Sequence, residues 1–223
     1  MTYLPFSVYQ CSLVPEDFLW FVSREFNTLT NMQPVIHNYA LSFALGQSFI
    51  IVATDNVPNY SFLETLDNYA TPAAPVEPPE FATHTYNSVC SKTNLTQSSF
   101  NIPALGKNRK ISPSSTEFRF IVFSKNNHIP NYIRIGKKSC IAKVVARKLH
   151  LLETIDEPKD TIDVEIYYNL HDTSPNDIVT KADLLLMYPT PIARSMKIKA
   201  PYLVLEDDDN IIKVPIPRHL RCS

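Results

Sequence analysis

A set of basic side chains in the middle of the chain is the strongest candidate for chemistry. Its members are Lys107, Arg109, Lys110, Arg119, Arg134, Lys137 and Lys138. Ammonium and guanidinium groups bind phosphate oxygens, and the backbone N–H groups of a turn at Gly136 can bind the same oxygens. The set predicts a surface that follows a nucleic-acid backbone. The alternative is a solvated loop whose lysines only aid solubility.

Tyr132 adds an aromatic ring to this set. It lies two residues before Arg134, and alternate residues of a strand share one face of a sheet. An aromatic ring beside a guanidinium group on an open sheet is a stacking platform for unpaired bases. The spacing therefore indicates a single-stranded RNA partner, although an ordinary half-exposed sheet tyrosine fits it equally well.

The distribution of charge supports a nucleic-acid partner. Residues 1–91 hold one basic and eight acidic residues, a net charge of −7, and residues 149–223 hold eight and thirteen, a net charge of −5. Residues 92–148 hold twelve basic residues and one acidic residue, a net charge of +11. A basic block in a chain of net charge −1 predicts one surface for nucleic acid and two acidic surfaces for protein neighbours.

The composition argues against several other kinds of site. Only 3 glycines accompany 18 prolines, whereas the phosphate-binding loops of nucleotide sites need several glycines. His219 and Cys222 have the spacing of half a zinc site, but no second pair completes it. The acidic run at 206–209 suits a solvated turn or a docking patch better than a cation site. The sequence therefore predicts neither a cofactor nor a bound metal.

His37 is the one residue that suggests catalysis. It borders the apolar face of a predicted helix, where its imidazole would act as the general base of a ribonuclease. No second acid or base accompanies it, and a histidine beside an apolar helix face is more often a packing residue. The chain is therefore predicted not to be an enzyme.

Nothing in the sequence predicts export or a membrane span. The first residues lack a basic segment followed by an apolar one, and no apolar run is long enough to cross a bilayer. The four cysteines, at positions 11, 90, 140 and 222, show no paired spacing, which favours reduced thiols. We therefore expect a cytoplasmic protein without a membrane partner.

Strand-forming segments dominate the chain. Strands are predicted at residues 3–13, 47–54, 117–123, 131–135 and 160–168. The segment 131–135 places two isoleucines on one face and Tyr132 and Arg134 on the other. The composition of 117–123 suits a strand buried on both faces. Residues 140–152 and 178–188 fit a helix and a strand equally well.

One helix is predicted, with a cap at Asn31, Pro34 in its first turn and a stop at Gly46. Its apolar face is formed by Ile36, Tyr39, Ala40 and Phe43. A proline-rich connector at 71–80 and a basic polar loop at 91–115 form a long insertion at about 71–115. The whole chain, 1–223, is predicted to be a single α+β domain with a mainly antiparallel sheet, compatible with a ferredoxin-like core.

Five stretches together resemble the Csc-one family, the Cas-five-type subunit of the type I-D CRISPR Cascade. They are residues 21–26 (FVSREF), 36–45 (IHNYALSFAL), 86–88 (YNS), 129–137 (IPNYIRIGK) and 187–192 (MYPTPI). The resemblance spans about residues 8 to 205, and the second and fourth stretches are its most specific parts. The glycine-rich loop of the wider RAMP superfamily is reduced here to Gly106 and Gly136.

The resemblance implies an RRM-like (ferredoxin-like) RAMP core with a thumb-like extension. It also implies a function: binding the 5′ handle of the CRISPR RNA, capping the backbone filament and lying near the PAM end of target DNA. The implied protein partners are a Cas-seven-type backbone subunit and a Cas-ten-type large subunit. It further favours strands at 140–152 and 182–188.

The expected function is therefore that of a non-catalytic RNA-binding subunit. Two alternatives remain open at this point. The first is a RAMP endoribonuclease that processes CRISPR RNA through His37. The second is an adaptor that binds only proteins, with its basic block on an acidic partner.

Overall fold

The computed structural model describes residues 5–21, 24–26, 29–46, 60–88, 104–137, 139–208 and 210–221. Within these ranges, seventeen strands form four sheets, accompanied by one α-helix and short 3₁₀ turns. All strand pairs but one are antiparallel, so the predicted α+β class with a mainly antiparallel sheet is confirmed. None of the described helices is long and apolar enough to span a membrane.

The central sheet has six strands. They are β1 (Ser7–Pro15), β4 (Asn68–Ala70), β5 (Ala74–Pro75), β8 (Phe118–Ser124), β9 (Tyr132–Ile135) and β10 (Cys140–Lys148). Their order is β4-β8-β1-β10-β9, and β5 also pairs with β8. The predicted connector at 71–80 contains β5 and so lies along the edge of this sheet. Residues 140–148 are a strand, as the family resemblance implies.

Two sequence patterns in this sheet are confirmed. On β8 only Arg119 is exposed, because Phe118, Phe120 and Val122 pack into one core and Ile121 and Phe123 into another. On β9 the two isoleucines are buried, and the tyrosine and arginine between them are exposed. The four-residue run of apolar and aromatic residues at 120–123 thus marks a strand covered on both sides, and alternation marks one covered on a single side.

The helix α1 (Asn38–Leu45) begins later than predicted. Ile36 exchanges two backbone hydrogen bonds with Ala73, of 3.0 and 2.9 Å, and these hold the chain extended up to His37. The prediction of a cap at Asn31 is wrong, since Asn31 ends a strand. The buried face is also shifted by this late start and consists of Asn38, Leu41, Ser42 and Leu45. Gly46 does end the helix.

A second sheet contains part of the predicted loop. It consists of β2 (Arg24–Phe26), β3 (Leu29–Asn31), β6 (Phe81–Ser88) and β7 (Ala104–Ile111), in the order β2-β3-β7-β6. The prediction of a loop over 91–115 is wrong at β7, because its residues pair with β6 along eight positions. Residues 91–103, the predicted strand 47–54 and Lys138 lie outside the described residues.

Two C-terminal sheets complete the chain. The first contains β11 (His150–Ile155), β16 (Tyr202–Asp207) and β17 (Asn210–Pro215). The second contains β12 (Ile162–Val164), β13 (Tyr168–Asn169), β14 (Ile178–Leu185) and β15 (Ile192–Lys199). Leu203, Leu205 and Val214 pack against Ile121 and Phe123, so the first of these sheets covers part of the central sheet on the side away from α1.

Candidate nucleic-acid interface

The uncovered part of the central sheet brings four cationic or aromatic side chains to one face. Residues directly opposite each other in antiparallel strands point to the same side. Tyr132 is opposite Lys143, and Lys143 is opposite Val14. Val145, Ser12 and Arg119 form the next row across β10, β1 and β8. This face, which we call the open face, therefore contains Arg119, Tyr132, Arg134 and Lys143.

Apolar side chains lie among these charges. Ile141 is opposite Arg134 and 40 % exposed, and Val145 is 55 % exposed. Tyr132 is also 55 % exposed. Strand neighbours are about 4.8 Å apart, so the ring of Tyr132 and the ammonium group of Lys143 belong to adjacent positions of one surface. Exposed rings and apolar side chains between cations match the stacking-plus-phosphate chemistry of single-stranded nucleic acid.

The cations of the open face differ in how freely they can bind a ligand. Arg119 forms an ion pair with Glu117, with 3.0 Å between Nε and Oε1. Arg147, farther along β10, pairs with Asp207 and Asp208 of the acidic run. Arg134 and Lys143 form no ion pair within the described part of the chain. These two are therefore the cations available to phosphate at the smallest cost.

The basic residues of β7 do not form one cluster. Lys107 and Arg109 lie on one face of the strand, and Lys110 lies on the other. The guanidinium carbon of Arg109 lies 3.9 Å above the ring centre of Phe81. The structure thus separates a set that the sequence presented as contiguous.

Trp20 connects the end of β7 to the turn after β9. Its ring centre lies 5.9 Å from the Nζ atom of Lys110 and 5.6 Å from that of Lys137. The neighbouring Leu19 exchanges backbone hydrogen bonds of 3.1 and 2.9 Å with Ile111. Two basic segments about 27 positions apart therefore meet at one indole ring, where cation–π attraction holds both ammonium groups. Sequence reasoning missed Trp20, although it is the only tryptophan.

His37 is buried in a structural position. It is 6 % exposed, and its Nδ1 atom accepts a 3.2 Å hydrogen bond from the backbone N–H of Tyr39, capping α1. Its Nε2 atom lies 2.9 Å from Oγ1 of Thr190. Burial lowers the pKa of His37 to about 4. Both ring nitrogens thus have hydrogen-bond partners within the protein.

A buried hydrogen-bond network surrounds Asp172, which sequence reasoning did not single out. The carboxylate accepts a 2.6 Å bond from the Tyr69 hydroxyl and a 3.1 Å bond from the Asn38 amide. Asn169 donates to Asn38 and accepts from Thr190, which extends the network to His37. Burial raises the pKa of Asp172 to about 7, and the Tyr69 hydrogen bond opposes this shift.

The remaining candidates for metal chemistry do not assemble into a site. Among the residues that the structure describes, no three histidine, cysteine, aspartate or glutamate side chains are arranged to hold a metal ion. Asp207 and Asp208 face Arg147 instead. His219 lies against the ring of Tyr69, at 4.3 Å between ring centres, and Cys222 lies outside the described residues.

The fold and the open face define a strand-rich α+β protein with a basic, partly uncovered sheet. The model of one protein family, described as type I-D CRISPR-associated protein Cas5/Csc1, matches residues 6–222. The chain therefore belongs to the Cas5/Csc1 family of type I-D CRISPR-associated proteins, which confirms the resemblance found in the sequence.

Other comparisons add little to this assignment. No curated protein matches the chain. Among solved structures, a chain of the "Cryo-EM structure of the Type III-B Cmr-beta bound to cognate target RNA and AMPPnP, state 1" is similar, at 11 % identity and a TM-score of 0.44. The match covers 85 % of this chain and 83 % of that one. A TM-score this low does not support any conclusion about the fold or the function of this chain.

Proposed function

We propose that the chain is a non-catalytic, RNA-binding subunit of the type I-D CRISPR effector complex. The observation that carries the proposal is the open face, where Arg134 and Lys143 lie beside the exposed ring of Tyr132. Phosphates can bind these cations without first displacing a carboxylate, and bases can stack on the uncovered ring. The family supports the choice of CRISPR RNA as the nucleic acid.

We propose a finer placement from what the family resemblance implies. A Cas-five-type subunit would grip the 5′ handle of the CRISPR RNA and cap the filament of Cas-seven-type subunits. It would lie near the PAM end of target DNA together with the Cas-ten-type large subunit. We infer that the central sheet and α1 form the ferredoxin-like RAMP core and that the sheet of β6 and β7 forms the thumb-like extension. The cytoplasm is the compartment that this function requires.

Two edge strands support additional contacts with proteins. The strand β14 lies at the edge of its sheet and exposes Ile178, Val179 and Leu184. The strand β11 lies at the edge of the other C-terminal sheet and exposes Leu151 and Leu152. Exposed apolar side chains on a long edge strand favour association with another chain. The hypothesis of an adaptor that binds only proteins is therefore not adopted, but protein contacts form a second part of the proposed function.

The non-catalytic part of the proposal rests on His37. A general base must reach the proton that it removes, directly or through one water molecule. The capping and threonine hydrogen bonds of His37 occupy both nitrogens inside the protein. The imidazole therefore serves the fold, and the endoribonuclease hypothesis loses its only named base.

A double substitution of the two free cations tests the open face. In Arg134→Ala/Lys143→Ala, we expect affinity for a single-stranded CRISPR repeat RNA to fall about tenfold or more at low salt, because charge-assisted hydrogen bonds to phosphate are lost. The slope of log affinity against log salt should become shallower by about 1.4, which is about 0.7 per lost contact. Fluorescence anisotropy over a salt series measures both quantities.

A matched double substitution controls for the loss of charge. Lys181→Ala/Lys213→Ala also removes two exposed basic residues, from β14 and β17, and should leave both quantities unchanged. Equal losses in the two double variants would contradict the open face as the RNA site. The same RNA should remain intact on a denaturing gel, and its cleavage by the wild-type chain would contradict the non-catalytic proposal.

A further inference from the structure

A cavity of about 530 Å³ lies beside β4, the edge strand of the central sheet that is farthest from β9. It is lined by α1, β4 and four short segments that are distant in sequence. Three of these segments contain the 3₁₀ turns Tyr60–Thr65, Leu170–Asp172 and Arg218–Leu220, and the fourth is residues 188–190. The volume is within the range of roughly 300–1,000 Å³ that small-molecule sites occupy.

Three tyrosines give this cavity an aromatic wall. The rings of Tyr39 and Tyr60 are 5.0 Å apart between centres, and Tyr188 lines the same cavity. Tyr188 is 71 % exposed, and its ring contacts no other ring of the described residues. An uncovered tyrosine ring that lines a cavity favours stacking by a planar ligand.

The polar groups of the cavity complement a nucleotide. The guanidinium group of Arg218 and the carboxylate of Glu64 line the cavity, and neither has an ion-pair partner in the described part of the chain. The buried Nε2 atom of His219 has no hydrogen-bond partner there either. A guanidinium binds phosphate bidentately, and a carboxylate accepts hydrogen bonds from an exocyclic amino group.

We propose that this cavity binds one unpaired nucleotide whose base carries an exocyclic amino group. The base stacks on Tyr188, the amino group donates to Glu64, and the phosphate binds Arg218. The nucleotide is either a free mononucleotide or the terminal nucleotide of a bound RNA. The proposal does not depend on the open face, since the two surfaces share no residue.

Binding of adenosine 5′-monophosphate to the full chain tests the proposal. Titration calorimetry should give saturable binding to the wild type, and uridine 5′-monophosphate, which lacks the amino group, should bind more weakly. Tyr188→Ala should weaken the binding of adenosine 5′-monophosphate about tenfold or more, because stacking of one base on a protein ring is lost. Arg218→Gln should weaken it to a similar degree.

Two controls keep this result separate from the proposed function. Tyr132→Ala removes the other exposed tyrosine, and Arg134→Ala/Lys143→Ala removes the free cations of the open face. Both should bind adenosine 5′-monophosphate like the wild type. Absence of saturable binding to the wild type, or equal binding in the wild type and Tyr188→Ala, would overturn the proposal. Equal affinity for the two mononucleotides would overturn the assignment of the amino group.

A short RNA with a 5′-phosphorylated terminal adenosine identifies the source of the nucleotide. Tighter binding of this RNA than of the mononucleotide, with the same proportional loss in Tyr188→Ala, assigns the cavity to an RNA end. Tighter binding of the mononucleotide assigns it to a free nucleotide.

Discussion

Asp172 and His37 are buried ionisable residues whose shifted pKa values act on stability in opposite directions. Burial raises the pKa of Asp172 from 3.8 to about 7, so its contribution lowers the free energy of unfolding as the pH rises through that interval. Burial lowers the pKa of His37 from 6.5 to about 4, so its contribution raises the free energy of unfolding over nearly the same interval. In the wild type the two effects offset each other.

Replacing either residue should expose the contribution of the other. We expect the free energy of unfolding of Asp172→Asn, minus that of the wild type, to be larger at pH 7.5 than at pH 4.5 by up to about 4 kcal/mol. For His37→Gln, the same difference in the free energy of unfolding should be smaller at pH 7.5 than at pH 4.5, by up to about 3 kcal/mol. Urea unfolding at the two pH values measures the difference. Asp163→Asn, at an exposed aspartate, should follow the wild type, and parallel pH profiles for all four proteins would contradict these assignments.

The turn after β9 is the element that joins the open face to the segment of Trp20. Gly136 has φ +82°, a conformation that side chains with a Cβ atom rarely adopt. An added Cβ would also lie 2.9 Å from the carbonyl oxygen of Trp20. That same oxygen accepts a 2.9 Å hydrogen bond from the backbone N–H of Lys137. The glycine is therefore required both by the turn and by the close approach of another backbone.

A comparison of two glycine substitutions tests this element. Gly136→Ala should destabilise the protein by about 1–3 kcal/mol, because the alanine must adopt a left-handed conformation or move the Trp20 segment. Gly46→Ala provides the control, since Gly46 has φ −70° and ψ −11°, which alanine adopts freely. Thermal unfolding of both variants measures the difference. Similar melting temperatures would show that the turn tolerates a side chain.

At the scale of the whole molecule, the two kinds of exposed surface are separated. The open face combines cations with the exposed apolar residues Ile141 and Val145 on the central sheet, whereas β11 and β14 expose apolar side chains at the edges of the C-terminal sheets. The acidic run limits the extent of the basic surface, because Asp207 and Asp208 form ion pairs with Arg147 of β10. Net charge alone concealed this division, because the opposite charges of the segments nearly cancel.

Assembly with partner subunits should protect β14. We expect amide hydrogen exchange of residues 178–185 to slow on assembly, because an edge strand has unpaired N–H groups that a partner chain can bond. Exchange in α1, which is buried already, provides the internal control and should not change. Mass spectrometry of the isolated chain and of the complex measures both segments. Unchanged exchange at β14 would remove it as a partner surface.

The sequence by itself determined features that depend on near neighbours. Local sequence patterns predicted three features that the structure confirms: the alternation in β9, the two-sided burial of β8 and the end of α1 at Gly46. The basic block at 92–148 is likewise visible in the sequence alone. The motifs of the Cas5/Csc1 family are local as well. Side-chain periodicity within one strand or helix is set by backbone geometry, so it can be predicted without knowledge of the partner elements.

Only the tertiary structure decided which of these residues act together. Lys143 belongs to the open face because its strand register places it opposite Tyr132. Lys110 is separated from Lys107 because the two residues lie on opposite faces of β7. The late start of α1 depended on a backbone pair between residues 36 and 73. The Asp172 network and the tyrosine-lined cavity join residues more than 100 positions apart. Register and long-range packing arise from burial of the whole chain, and no local pattern specifies them.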